Sequence, residues 1–553
     1  MAASADPDTM RWHEAMKQPD REDFKRAAQE EWDGQYGNKN FSIIHKTEVP
    51  EGETVLPGVW AMRRKRDIKT SRVKKHKARW NVDGSKMVHG VHYDETYAPV
   101  ASWATIRLIL TIATVLKWKT TQLDYVMAYP QAPVERELYM RIPYGVKVPK
   151  GTKETHVLKL HKNVYGQKQA GRVWFEYLKK KLIEDVGFVQ SKFDRCLFYK
   201  GSTVYVLYTD DSILAGPSQA EINETIAAIR KAGLKITDEG TIEDFLGVNI
   251  DRRPDGTIKY SQPHLIQQIL KDVNMAGDNV VPKTTPAPSS RILHAHKNSK
   301  PFDESFHYRS IIGKIGYLEK GSRIDIAYIN HQCARFCSDP KREHGAAIRW
   351  LCRYLKGTSK EGLIIKPDKT KGLEVHVDAD FAGNWNPDET EDQATARSRH
   401  GYIISYAGCP VIWKSQLQTE IALSTTESEY TGLSYSLREA IPIMRLLREF
   451  KRNGIPVINE ATPIQCRVFE DNSGALEMGR IDKYRPRTKH LNIKLHHFRS
   501  YVNNKRIKIL RIASIDRPAD IITKPLPEEL LVKLHKQIWD GNDRKMTQSP
   551  IPK

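Results

Sequence analysis

The string Tyr208-Thr209-Asp210-Asp211 sets two adjacent carboxylates at the end of a β-forming run, and Asp124 closes a second such run earlier in the chain. Gathered carboxylates repel one another, so the arrangement persists only where cations or hydrogen bonds compensate. Magnesium is a hard, oxygen-seeking compensator, and in two-metal phosphoryl transfer a pair of such ions about 4 Å apart activates the attacking oxygen and steadies the leaving group. For that chemistry Asp124 and Asp210 would bridge the ions, Asp211 would support them, and the Tyr125 carbonyl would fill a further position. An ordinary acidic hairpin turn is the competing reading, and the tetrapeptide by itself favours it. A second spaced set of acids, Asp378, Glu429, Asp471 and Asp520, suits a second pair of metals. Glu427 and Glu429 point in nearly opposite directions on a helix, so only one can face that site. Ser424 with Glu427 makes a capping box that leaves Glu429 for the metals, although Thr426 with Glu429 fits the same box. Asp380 and Glu470 are neighbours expected to support the ligands or face solvent.

These acids need elements to carry them. Residues 203–208 read as a strand, Asp210-Asp211 as its turn and residues 213–215 as the returning strand. An apolar helix near 104–116 precedes a short strand at 122–124. A second helix from Gly171 carries Trp174, Leu178, Leu182 and Val186 on one stripe, with Gly187 as its stop. Ser218 and Glu221 open another helix. At the N-terminus, Trp12 with Met16 and Phe24 with Ala28 have helical spacing, broken near Pro19, and residues 59–79 are basic and strand-like. Strands at 373–377, 401–406 and 410–413 begin a further α/β unit. The organisation expected is an N-terminal helical entry segment (1–50), a mixed helix-and-strand unit (51–280), a Pro-rich linker and helical region (281–370), an α/β domain (371–530) and a C-terminal tail (531–553) with nothing to pack at its end.

A chain of 553 residues is too long for one core and suggests three or four units at about 150 residues each. Its 88 Lys and Arg against 67 Asp and Glu leave a net charge of +21, which favours a polyanionic partner; a solvated basic surface is the plainer alternative. Six scattered cysteines argue against a disulfide framework and a paired zinc site. The most apolar run, 108–116, is short and carries two threonines, so neither a signal peptide nor a membrane span is expected.

Further strings change the weight given to the acidic turn: Asp94-Glu95-Thr96-Tyr97-Ala98-Pro99-Val100, Gln122-Leu123-Asp124, Glu137-Leu138-Tyr139-Met140, Tyr165-Gly166-Gln167-Lys168-Gln169-Ala170 and Asp194-Arg195-Cys196. With them the chain resembles, from Trp12 to Leu526, the reverse transcriptase and ribonuclease H portion of a copia-type LTR retrotransposon polyprotein. The resemblance implies an α+β right-hand polymerase (fingers, palm, thumb/connection) followed by an α/β ribonuclease H-like domain. It implies two Mg2+ ions per site, with Mn2+ as a substitute, and dNTPs, an RNA template, a DNA or tRNA primer and an RNA–DNA hybrid as partners. The element's own integrase and capsid are candidate partners, and no membrane is involved. The implied setting is cytoplasmic, in virus-like particles, with later nuclear entry of the product complex.

Residue by residue, the resemblance makes Tyr129, after Ala128, the ring that excludes a ribose 2′-hydroxyl. It brings Lys77 and Arg79 to the triphosphate, although loose phosphate or solvent contact suits either residue equally well taken singly. Lys162, Gly166 and Gln169 would line the nucleotide and template side. Asp378, Glu429, Asp471 and Asp520 become ribonuclease H metal ligands, and Arg487, Lys489, His490 and Lys494 a track for the hybrid's phosphates. Two departures stand out: Thr209 where the family usually has Val, and Arg323-Ile324-Asp325-Ile326 where it has Arg-Pro-Asp-Ile. An inactive relic that still folds and binds nucleic acid is the main rival reading, and a non-enzymatic nucleic-acid-binding module ranks below it.

Overall fold

The computed structural model describes residues 8–66, 72–149, 151–288, 292–295, 298–390, 392–458, 465–480 and 497–538. The chain divides into two compact units. The first comprises residues 1–101, 121–214 and 219–240, the second residues 102–120, 215–218 and 241–553.

In the first unit, alternating apolar positions turn the basic segment into a β-hairpin. Strand Gly58–Arg66 pairs antiparallel with Val73–Val82, burying Trp60, Met62, Ala78 and Trp80. The helix Arg21–Gly37 covers that hairpin's apolar face with Phe24, Ala28 and Trp32, after the short helix Trp12–Ala15 and a break before Arg21. A six-stranded sheet follows, in the order Ile236–Gly240, Lys119–Tyr125, Asp211–Gly216, Thr203–Tyr208, Leu197–Lys200, Val189–Gln190. The helix Ala170–Glu184 buries Trp174, Leu178 and Leu182, the stripe expected from their spacing. The turn, however, is Thr209-Asp210. Asp211 already begins the returning strand, because a two-residue loop is the shortest closure that keeps the two strands in register.

The second unit holds a five-stranded sheet in the order Cys409–Leu417, Arg399–Tyr406, Leu373–Asp380, Cys466–Glu470, Ile507–Arg511. Its first three strands are antiparallel, and the last two run parallel to Leu373–Asp380. A parallel step needs a crossover, supplied by the long helix Thr425–Arg452. Gly432 lets that helix approach the sheet closely, since a Cβ there would lie 3.3 Å from Val377 and 3.4 Å from His400. This is the ribonuclease H-like α/β arrangement expected after the polymerase-type part. Asp378 lies within the central strand, which extends to Asp380 and not merely to 377. The helix Glu528–Ile538 occupies the first part of the segment read as tail; residues 539–553 lie outside the described residues.

The helical region of this unit packs Tyr308–Ser322, Ala327–Ala334 and Arg342–Gly357 around Ile315, Leu318, Ile348 and Leu351. Its Arg323-Ile324-Asp325-Ile326 segment is buried. The Arg323 guanidinium grips both oxygens of Asp325 (2.9 and 2.8 Å) and donates to the Thr358 carbonyl (3.0 Å), while the Tyr354 hydroxyl donates to Asp325 (2.7 Å). The arginine and aspartate make a structural ion pair, and Ile324 between them is simply buried. No helix among the described residues is long and apolar enough to cross a membrane.

Two candidate active sites

Asp124 arrives at the first site on Lys119–Tyr125, whose neighbour Ile236–Gly240 pairs antiparallel with Thr237 opposite Asp124. The register shifts between Asp238 and Gly240, and a bulge of this kind re-aims a side chain: Glu239 turns toward Asp124. Asp210 and Asp211 come from the hairpin tip. The Tyr125 N–H donates to the Asp210 carbonyl (3.0 Å), tying one acid-bearing segment to the other. Trp174 Nε1 donates to the Thr209 carbonyl (2.7 Å), and its ring meets Tyr125 edge-on at 5.1 Å. Thr209 has φ +59°, a left-handed conformation costly for a β-branched residue, so the tip is held against its own preference. Thr209 thus occupies the turn itself, where its β-branched side chain bears the cost of the left-handed conformation.

Facing the acids is the inner row of the basic hairpin, where Arg63 sits directly opposite Lys77 and Ala61 opposite Arg79. Arg63, Lys65, Lys77 and Arg79 line, together with Asp124, Asp210, Asp211 and Glu239, one cavity of about 470 Å³. Four cations and four carboxylates balance overall but are sorted onto two sides. Burial raises the Asp124 carboxyl pKa, and Asp210 and Glu239 raise it further against the pull of Lys77 and Lys65. Burial lowers the Lys77 pKa, and Arg79 and Lys65 lower it further. Each side is thus short of opposite charge: divalent cations would relieve the acids, and an anion the basic row. An all-carboxylate donor set suits hard cations.

Met127, at φ +51°, bends the chain from Asp124 into the short helix Ala128–Gln131, which carries Tyr129. The Tyr129 ring lies 5.3 Å from that of Tyr165, over which Arg79 stacks at 4.7 Å. Its hydroxyl pKa is raised by burial and by Asp210. Lys162, Gly166 and Gln169 do not line the cavity. Lys162 Nζ reaches the Gln131 carbonyl at 3.5 Å, and the Gln169 amide donates to the His92 carbonyl at 3.3 Å. Gly166, at φ +88°, packs so closely that a Cβ would lie 2.2 Å from the Val82 carbonyl. Gly166 thus packs its loop against the basic strand, while Lys162 and Gln169 tie the same segment to the Gln131 and His92 carbonyls. Tyr125 buries its ring, its hydroxyl hydrogen-bonded to that of Tyr205 (2.8 Å). Arg63, Lys65 and Glu239 escaped the sequence reading. The alternation of 63 with 65 and 77 with 79 signalled the first two, while only the bulge reveals Glu239.

The second site gathers Asp378 from the central strand, Glu429 from the second turn of the long helix, Asp471 from just past Cys466–Glu470, and Asp520 from the start of the helix Asp520–Thr523. Ser424 caps the long helix by accepting from the Glu427 N–H (3.2 Å), and Glu427 accepts from Leu423 N–H (2.9 Å), so Glu427 closes the helix end while Glu429 turns inward. Glu470, fully buried, joins the cluster and does not face solvent: one carboxylate oxygen each of Glu429, Glu470 and Asp471 falls within 4.8 Å of the others. Asp380 instead accepts from the Arg399 N–H (2.6 Å). Burial raises the Glu429 and Glu470 pKa values, and nearby acids raise them further, chiefly Glu470 for Glu429 and Asp471 for Glu470. Among these acids stands Arg517, paired with Asp378 (2.5 Å), Asp520 (2.8 Å) and Asp471, with Glu429 at 3.7 Å. Nothing in the sequence marked it. Arg487, Lys489, His490 and Lys494 lie outside the described residues.

Residues 38–288 match the family model described as reverse transcriptase (RNA-dependent DNA polymerase). The chain is 29% identical over 526 residues to the retrovirus-related Pol polyprotein from transposon TNT 1-94 of Nicotiana tabacum, covering 93% of this chain and 37% of that protein. It is 31% identical over 530 residues to the retrovirus-related Pol polyprotein from transposon RE2 of Arabidopsis thaliana, covering 95% of this chain and 34% of that protein. The chain thus spans about a third of the length of these relatives. A solved foamy viral protease-reverse transcriptase in complex with double-stranded DNA aligns at 13% identity and a TM-score of 0.49, over 89% of this chain and 70% of that one.

Proposed function

We propose that this chain, whose residues 38–288 match the reverse transcriptase (RNA-dependent DNA polymerase) family and which is similar along most of its length to part of plant retrotransposon Pol polyproteins, copies RNA into DNA at its first site and hydrolyses the RNA strand of the resulting hybrid at its second. The observation that carries the reading is the sorting of charge in one cavity, with acids on one side and a row of four cations on the other. A deoxynucleoside triphosphate with its metals has that pattern in reverse. Asp124 and Asp210, supported by Asp211, would hold two Mg2+ ions, which when bound activate the primer 3′-hydroxyl and steady the departing pyrophosphate. Arg63, Lys65, Lys77 and Arg79 receive the triphosphate and lower the charge that builds on it as the 3′-hydroxyl attacks the α-phosphorus. Tyr129, whose hydroxyl lies within the electrostatic influence of both Asp210 and Arg79, would back the sugar and exclude a 2′-hydroxyl. Trp174 and Tyr125 keep the Asp210 tip where the acids converge.

At the second site, the all-oxygen donor set with unpartnered Oε2 atoms on Glu429 and Glu470 fits a hard divalent cation, and the ribonuclease H-like sheet supplies the frame. RNA template, DNA or tRNA primer, hybrid and dNTPs are the partners this reading requires, in cytoplasmic virus-like particles with later nuclear entry. Extension of a primer on an RNA template with Mg2+ tests it. Asp210→Asn is expected to abolish extension and spare hybrid cleavage, and Asp471→Asn to do the reverse. Extension unchanged in Asp210→Asn sinks the polymerase assignment, and cleavage unchanged in Asp471→Asn sinks the nuclease one.

A further inference from the structure

The far end of the long helix Thr425–Arg452 collects positive charge. Arg445, Arg448 and Arg452 recur at spacings of three and four residues and so share one stripe of that helix. Arg506, at the turn entering the strand Ile507–Arg511, joins them through Tyr501. The Arg506 N–H donates to the Tyr501 carbonyl (2.8 Å), and the Tyr501 hydroxyl accepts from Arg445 Nε (3.2 Å) and Nη2 (3.0 Å). Arg448 Nη2 is covered by protein yet has no hydrogen-bond partner. Among the described residues no carboxylate pairs with any of these four arginines. Burial lowers the Arg448 pKa, and Arg506, Arg445 and Arg452 lower it further. The helix dipole welcomes Arg452 in the last turn, but it fades beyond that turn and explains neither Arg445 nor Arg506, which stands on another element. Like charges gathered in this way call for an anion.

We propose that Arg445, Arg448, Arg452 and Arg506 form a binding site for the phosphate backbone of nucleic acid, remote from the acids of the second site. The row from Arg445 to Arg452 is about 10 Å long at about 1.5 Å per residue, which spans about three phosphates of one strand at about 3.4 Å each. A phosphodiester strand carries a full charge at every step, and the guanidinium fork fits its paired oxygens. An acidic protein segment offers oxygens too, but on flexible side chains whose freedom is lost on binding. Arg445 stands about 24 Å along the helix from Glu429 and less than half a turn around it. The arginines therefore hold a stretch of nucleic acid beyond the one seated at Glu429. Neither catalytic assignment is needed for this.

The test is fluorescence anisotropy of the full chain with a labelled single-stranded RNA and with an RNA–DNA hybrid, each about 30 nucleotides long, over a range of salt concentrations. EDTA is present, so no strand is cut and the result does not depend on whether the second site is a nuclease. The plot of log affinity against log salt should lose about one unit of slope in the exposed Arg452→Gln, and two to three units in Arg445→Gln/Arg448→Gln/Arg506→Gln. Replacing the same three arginines by lysine keeps the charge and should keep the slope. Loss on the RNA alone assigns the site to a single strand, and loss on the hybrid alone to the duplex. Because like charges are removed, the melting temperature should not fall. An unchanged slope on both nucleic acids in Arg452→Gln and in the triple variant overturns the proposal, as does an equal loss in the lysine variant. Binding of a poly-glutamate peptide that disappears in the triple variant while the nucleic-acid slope stays overturns it too, in favour of an acidic protein partner.

Discussion

Replacing Trp174 by phenylalanine should slow primer extension without loosening nucleotide binding, because it releases the hairpin tip and leaves the basic row intact. Thr209 sits at φ +59°, which costs a β-branched residue about 1–2 kcal/mol. The Trp174 Nε1 bond to the Thr209 carbonyl, at 2.7 Å, contributes about 0.5–1.5 kcal/mol net and is oriented to favour that conformation. Phenylalanine keeps much of the ring packing against Tyr125 but has no donor. With the bond gone, the tip is free to relax toward a negative φ, swinging the adjacent Asp210 carboxylate away from Asp124. A shift of about 1.4 kcal/mol against the competent tip corresponds to roughly a tenfold fall in kcat. KM for the dNTP should change little, since Arg63, Lys65, Lys77 and Arg79 stand on another hairpin. Single-turnover extension on an RNA template measures kcat, and thermal melting reports the accompanying loss of stability. Thr209→Gly supplies the control. Glycine adopts a positive φ at little cost, so Trp174→Phe should lose less activity in that background. A kcat that holds while the melting temperature falls, or equal losses with threonine and glycine at 209, would refute the idea that this bond orients the catalytic tip.

Tyr129→Ala should admit ribonucleotides, lowering discrimination against the 2′-hydroxyl by roughly tenfold or more; competition between rNTP and dNTP in primer extension measures it, and unchanged selectivity removes the gate. Asp325→Asn strands the fully buried Arg323 without its counter-charge and should cost about 3–5 kcal/mol in urea unfolding; a cost below about 1 kcal/mol contradicts the structural reading of that pair. Glu319 accepts from Trp413 Nε1 (3.0 Å), and burial pushes its carboxyl up to about 7. An acid whose pKa is raised on folding stabilises fully below its unfolded value near 4.5 and loses that contribution as pH rises through 7. The parent should therefore lose at most roughly 3 kcal/mol relative to Glu319→Gln between pH 4.5 and 8; parallel stability profiles for the two proteins across that window would show that Glu319 does not titrate with folding.

What could be read without coordinates was whatever short-range patterning controls. The apolar stripe Trp174, Leu178 and Leu182, the alternation in 203–208 and the cap at Ser424 each follow from periods of two or 3.6 residues and from backbone groups that need local partners. Asp124, Asp210, Asp378, Glu429, Asp471 and Asp520 stood out as spaced acids on predicted elements, and the resemblance to a reverse transcriptase and ribonuclease H region gave them their roles. Arg63 and Lys65 were half-visible in the same alternation.

The tertiary structure alone decided which charges meet. Glu239 joins Asp124 only through a bulge between paired strands, and Arg517 reaches acids delivered by two strands and two helices. Thr209 reveals its left-handed turn only once Trp174, from a separate helix, fixes its carbonyl. Coulombic and hydrogen-bond energies depend on distance and burial, and both are set when segments remote in sequence pack together. The sequence by itself therefore determined the kinds of chemistry and most of the elements that bear them. Packing determined how the carboxylates are shared, because only in the folded chain does Arg517 come within reach of Asp378, Asp471 and Asp520.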